Sequence, residues 1–113
     1  MKRGEVWLVN LDPAIGAEIR KSRPCVIVSR DAFAPLPLRI VVPITAWDDR
    51  FAVAPWHIPI ERTKENGLRK KSSADTFQVR SISEQRLMRR VGQLSDDVLS
   101  SIDSGLALCL ALG

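Results

Sequence analysis

With 113 residues, 45% of them hydrophobic and 27% charged, the chain has the size and balance of a single soluble domain, residues 1–113. No apolar run approaches a bilayer span and no hydrophobic segment follows Met1-Lys2-Arg3-Gly4-Glu5, so a membrane or secreted class is excluded and the expectation is a cytoplasmic protein. A net charge of +4 favours a polyanionic partner, and the cations cluster at Arg20, Lys21 and Arg23, at Arg69 to Lys71, and at Arg86, Arg89 and Arg90.

Glu5 to Leu11 has the composition and length of a first strand, which Asp12-Pro13 stops. Ala14 to Ser22 is a polar loop containing Gly16. Lys21-Ser22-Arg23-Pro24 then leads into Cys25-Val26-Ile27-Val28-Ser29, a short apolar run that reads as a buried second strand. Pro24 fixes its own φ and pushes Arg23 toward extended backbone. Arg23 is therefore a guanidinium on restrained chain at the mouth of a strand. Such a placement suits an anion met in fixed orientation, and equally an ordinary surface arginine.

Arg30 to Pro37 reads as a second loop, and Leu38 to Ile44 as a third strand with Pro43 marking its exit or a bulge. Thr45 to Ala54 is loop, Pro55 to Ile60 a short edge-like strand, and Asn66-Gly67 a turn. Thr76 to Arg80 alternates as a strand, a pattern that puts Phe77 in the core. Ser81-Ile82-Ser83-Glu84 matches a capping box and predicts one helical turn through Leu87, before a last strand at Arg89 to Leu94.

The one long helix follows Ser95, with Asp96 and Asp97 at the positive end of its dipole. Val98, Ile102, Leu106, Cys109 and Leu110 repeat at helical spacing. Leu106 to Leu112 is apolar on every side, which calls for burial under the sheet or in a subunit contact. Five or six short strands with one terminal helix predict a mainly β, α+β protein: a small antiparallel barrel.

Several chemistries fall away. His57 is the only histidine, so no two-histidine acid–base pair forms within the chain. No metal-ligand spacing, P-loop, dinucleotide fingerprint or nucleophile elbow is present, and neither a metal nor a cofactor is expected. Cys25 and Cys109 lie in apolar segments and read as buried, reduced thiols. What remains is a set of polar residues at strand ends: Glu18, Arg23, Thr45, Asp75, Gln78, Arg80 and Ser81. They suit phosphate binding or stabilisation of charge on a reacting phosphoryl group, and they equally suit turn-capping hydrogen bonds.

The ordered combination Arg3-Gly4-Glu5-Val6-Trp7, Asp12-Pro13, Gly16 with Glu18, and Arg23-Pro24 before Val26-Ile27-Val28-Ser29 resembles the MazF/PemK family of ribonuclease toxins from toxin–antitoxin systems. Val41-Val42-Pro43-Ile44-Thr45 and Gln78-Val79-Arg80-Ser81-Ile82 continue the resemblance over nearly the whole chain. It implies a small SH3-like barrel with a long C-terminal helix, assembled as a homodimer. It implies metal-independent, sequence-selective cleavage of single-stranded RNA, by attack of a ribose 2′-hydroxyl on the adjacent phosphate. A cognate acidic antitoxin is the implied protein partner.

The family's arginine before proline falls on Arg23, assigned to the scissile phosphate, and its hydroxyl after the third strand falls on Thr45, a hydrogen-bond donor to a nonbridging oxygen. Glu18, Lys21, Asp75, Gln78, Arg80 and Ser81 are the accompanying candidates for substrate contact, with Trp47 and Phe51 as base-stacking platforms. Trp7 reads as core and Trp56 as either. The sequence departs from the family at Phe77, where many relatives carry Asp or Glu, so the general base rests between Asp75 and Glu18. The alternatives are a non-catalytic nucleic-acid-binding module and a gyrase-poisoning toxin of the same fold; the latter acts through a C-terminal tryptophan segment, and this chain ends Leu110-Ala111-Leu112-Gly113.

Overall fold

Apolar residues in this chain come in runs as well as alternations, because the sheet they build is covered on both faces. The computed structural model describes residues 1–113 and contains seven strands and one helix. These are β1 (Glu5–Asn10), β2 (Ser22–Ile27), β3 (Leu38–Ala46), β4 (His57–Ile60), β5 (Ser72–Asp75), β6 (Arg80–Ser83), β7 (Leu87–Gln93) and α1 (Asp96–Leu110). All pairings are antiparallel, in the order β4-β5-β3-β2-β1-β7, with β6 also on β3. The class is therefore the mainly β, α+β one expected. The sheet is open between β4 and β7, so "barrel" describes its curl only loosely.

The centre is β3, nine residues long. Its Val41 to Pro43 stretch pairs with β2. On its other edge, Leu38 to Val41 pairs with β6 and Ile44 to Ala46 with β5. Pro43, which has no N–H to donate, stands where one partner leaves and the next begins. The strand thus runs through Pro43 and takes Thr45 with it, rather than ending there.

Successive residues of β2 and β3 feed two cores. Val26, Val42 and Ile44 join Val6, Ile58, Ile60, Ala74 and Ile102 in the larger one, beneath α1. Cys25, Ile27 and Val41 join Val9, Leu11 and Ile82 on the opposite face, with Trp7 packed against them. This two-sided burial explains the unbroken run Cys25-Val26-Ile27-Val28.

The Ser95 hydroxyl accepts the Val98 N–H at 3.3 Å to cap α1, and Ala111, at φ 57°, ends it. Ile102 and Gly105 face the core. A Cβ on Gly105 would lie 2.9 Å from Thr76, so only glycine lets the helix sit this close to the turn Thr76–Gln78. No helix is long and apolar enough to cross a membrane.

Several expectations are corrected. Thr76–Gln78 is a 3-10 turn and not a strand, because the Asp75 carboxylate accepts the Phe77 N–H at 3.2 Å and closes the chain locally. Phe77 is consequently 68% exposed instead of buried in the core. The helical turn after β6 is capped by Ser83, with Ser81 inside the strand opposite Ile40. The end of α1 is not buried under the sheet: Leu108, Leu110 and Leu112 are 57%, 54% and 62% exposed. Cys25 is buried as expected, but Cys109 is only half-buried.

Candidate functional site

The β2–β3 ladder places Arg23 and Thr45 at the same end of neighbouring strands. Its last pair is Cys25 with Pro43, and Arg23 and Thr45 each lie two residues beyond it. On its other side Arg23 pairs with Val9 of β1. Lys21, at φ +68°, turns the chain sharply just before β2, and its N–H donates to the Asp12 carboxylate at 3.0 Å. The Arg23 guanidinium is exposed, touching only the Arg20 carbonyl at 3.3 Å through Nε.

Arg23 and Thr45 share a cleft of about 430 Å³ with Arg69, Lys70 and Arg89. The cleft contains these four cations and no carboxylate. Three segments distant in sequence supply the charge: the mouth of β2, the loop before β5, and β7. Concentrated same-sign charge beside a hydroxyl is an anion-binding arrangement, since each cation pays repulsion unless an anion is bound.

A second cavity, of about 400 Å³, also touches β3, at Pro43, two residues before Thr45. Glu18, Phe77, Gln78 and Arg80 line it. Gln78 joins the β1–β2 loop to the turn Thr76–Gln78: its Oε1 accepts the Ile19 N–H at 2.6 Å, and its Nε2 donates to the Ala17 carbonyl at 3.0 Å. Glu18 accepts the Ile15 N–H at 2.6 Å and is otherwise exposed. Arg80 donates to the Leu11 carbonyl at 3.3 Å. Burial pushes the neighbouring Cys25 thiol up to about 12, against the opposing pull of Arg80, so this cysteine is no nucleophile at neutral pH.

The remaining candidates lie elsewhere. Asp75 is 7% exposed; besides capping Phe77, its carboxylate sits 3.9 Å from His57 Nε2 and lines neither cavity. Ser81 is exposed on β6 and lines neither cavity. Trp47 follows Thr45 closely in sequence but is enclosed by its own neighbours, with Lys71 Nζ 4.8 Å above the ring and Phe51 edge-on at 5.7 Å. Phe51 in turn stacks on His57, centroids 3.7 Å apart. Arg69, Lys70 and Arg89 were visible in sequence as members of basic clusters, although nothing local tied them to Arg23. No three His, Cys, Asp or Glu side chains converge as a metal site would require.

The open antiparallel sheet and the single C-terminal helix define a small α+β protein, with a cation-lined cleft on its surface. More particularly, the chain belongs to the PemK/MazF family: the family model described as PemK-like, MazF-like toxin of type II toxin-antitoxin system matches residues 2–110. It is 37% identical to the endoribonuclease MazF9 of Mycobacterium tuberculosis, over 99% of this chain and 98% of that protein. It is 33% identical to the endoribonuclease EndoA of Bacillus subtilis, over 99% and 96% of the two chains. An endoribonuclease solved in complex with its cognate antitoxin, from a mycobacterial species, shares the fold with a TM-score of 0.78 at 18% identity, covering 100% of this chain and 97% of that one.

Proposed function

We propose that this chain is the toxin of a type II toxin–antitoxin system and an endoribonuclease, one domain acting in the cytoplasm on single-stranded messenger RNA and so arresting translation. Arg23 and Thr45 lining one cleft with three further cations is the observation that carries the proposal. The naming of two full-length relatives as endoribonucleases supports it.

In this reading the 2′-oxygen attacks the adjacent phosphorus, the P–O bond to the next nucleotide's 5′-oxygen breaks, and the proton lost by the 2′-hydroxyl is balanced by one gained at the leaving oxygen. Arg23 meets the negative charge that builds on the nonbridging oxygens, and Thr45 donates a hydrogen bond to one of them. Of the two carboxylates weighed as base, Asp75 is engaged by the Phe77 amide and buried beside His57, which leaves Glu18. The reaction in this reading is metal-independent, which cleavage in excess chelator tests.

The cationic cleft and net charge of +4 suit an acidic antitoxin segment laid across the same surface. The exposed leucines at the end of α1 support a homodimer, which sedimentation of the purified protein tests.

The deciding experiment is cleavage of a mixed-sequence single-stranded transcript in excess chelator. Wild type is expected to cut it and Arg23→Ala to lose cutting while keeping its circular dichroism spectrum. A folded Arg23→Ala protein that still cleaves overturns the assignment.

A further inference from the structure

Phe77 combines exposure with rigidity. Its ring is 68% exposed, yet the backbone under it is fixed on all sides. Asp75 accepts its N–H, the Thr76 hydroxyl donates to the Trp56 carbonyl at 2.7 Å, and Gly105 brings α1 directly onto Thr76. Trp56 stands behind it, ring centroids 6.4 Å apart and planes at 62°, a tilted contact that leaves ring surface free. In front lies the 400 Å³ cavity, lined with Glu18, Gln78 and Arg80.

A rigid apolar ring beside hydrogen-bonding groups matches the two-sided demand of an unstacked nucleobase, which offers a π face and a polar edge. The two depressions meet the same strand: Pro43 in the cavity wall precedes Thr45 in the cleft by two residues, about 7 Å along β3. The cation-lined cleft would hold the phosphate while the cavity holds a neighbouring base.

We propose that Phe77 is a stacking platform for a nucleobase flanking the cut phosphate, with the cavity beside it forming a base-specificity subsite. This rests on the endoribonuclease reading. The exposed ring presents a hydrophobic face to the cavity, so base preference at that position is set by stacking and by the cavity's polar edges.

The test starts from the sites that wild type cuts in a mixed-sequence transcript. A short RNA spanning one such site, 2′-O-methylated at the attacking ribose, serves as an uncleavable probe. Phe77→Ala is expected to bind it roughly 5- to 150-fold more weakly, the loss of one stacked base, and Phe77→Tyr to bind close to wild type. Probes with single abasic positions locate the partner: one abasic site should cost wild type the same factor and cost Phe77→Ala nothing further. Equal binding by wild type and Phe77→Ala, or abasic penalties unchanged by the substitution, overturns the subsite while leaving the enzyme reading intact. Altered sedimentation of Phe77→Ala with unchanged RNA binding assigns the ring to a protein contact and overturns it too. Failure of wild type to cut any RNA overturns both readings.

Discussion

Gln78→Ala tests whether the β1–β2 loop must be held down for the cleft to work. The Gln78 side chain makes two hydrogen bonds, to Ile19 and Ala17, across 59 and 61 residues of sequence. A neutral hydrogen bond contributes about 1 kcal/mol net, and leaving the half-buried Ile19 amide unpaired costs about 1 kcal/mol more. The Ala17 carbonyl is exposed, so water takes over for the lost donor. The sum is about 2 kcal/mol. At about 2.1 cal/mol/K of unfolding entropy per residue, that lowers Tm by roughly 8 °C for a chain this size.

The functional effect has the same origin. A loop released from its anchor must be re-ordered by the RNA, which raises KM by up to about 30-fold for 2 kcal/mol. The kcat should fall as well, because the loop carries Glu18, the carboxylate proposed as base, between the two anchored residues. Gln78→Glu keeps an acceptor for Ile19 but opposes a carboxylate to the Ala17 carbonyl, and should fall between the two in Tm. Thermal unfolding by circular dichroism and steady-state cleavage of a short fluorogenic RNA provide the readouts. An unchanged Tm refutes the tether; a lowered Tm with unchanged KM refutes any part for the loop in RNA binding.

Acid stability should depend on Glu5. Burial raises its pKa, but hydrogen bonds from the Trp7 indole, the Lys2 amide and the N-terminal ammonium outweigh this and bring it from 4.5 to about 2. A depressed carboxylate stabilises above its unfolded pKa, so about 2–3 kcal/mol should be lost as pH falls from about 5 to 2; Glu5→Gln should be less stable at pH 7 and flatter over that range in denaturant titrations. With Cys25 sealed and Cys109 half-buried, a chromogenic disulfide reagent at pH 8 should titrate one thiol rapidly and the second only after guanidinium unfolding. Gly105→Ala should gain up to about 1 kcal/mol of helix propensity and lose about 1–3 kcal/mol by overpacking. Contacts of 2.9 Å to Thr76 and 3.2 Å to Ile58 make the loss prevail, which a lower denaturant midpoint would show.

The sequence signals that succeeded were those tied to burial on a fixed period. Cys25 to Ile27 and Val41 to Ile44 declare themselves because two cores draw alternate side chains from each strand. β5 does not: Ser72-Ser73-Ala74-Asp75 lacks strand composition, and all four residues are buried only because β3 and β4 flank them. Phe77 misleads for a local reason. Thr76-Phe77-Gln78-Val79 alternates like a strand, but the Asp75 cap wins over the ladder and turns the ring outward. Arg23 and Thr45 meet in one cleft because β2 and β3 are neighbours, whereas Arg69, Lys70 and Arg89 reach it through tertiary packing that no local pattern encodes.

His57, Ser73 and Asp75 carry the residue types of a catalytic relay, and their geometry assigns them to structure. His57 Nδ1 lies 2.8 Å from the Ser73 hydroxyl and its ring is flat against Phe51. Ser73 is wholly buried, and neither cavity reaches it, so it has no path to a substrate. The network lets a polar strand lie buried beside β4 with its side chains satisfied. The only histidine is thereby withdrawn from acid–base chemistry, and arginines, with pKa above about 12, stabilise charge far better than they carry protons. One well-placed donor to a developing oxyanion is worth about 3–4 kcal/mol, and this cleft gathers four cations and a hydroxyl around one place. Any rate enhancement that this surface supplies is therefore electrostatic first.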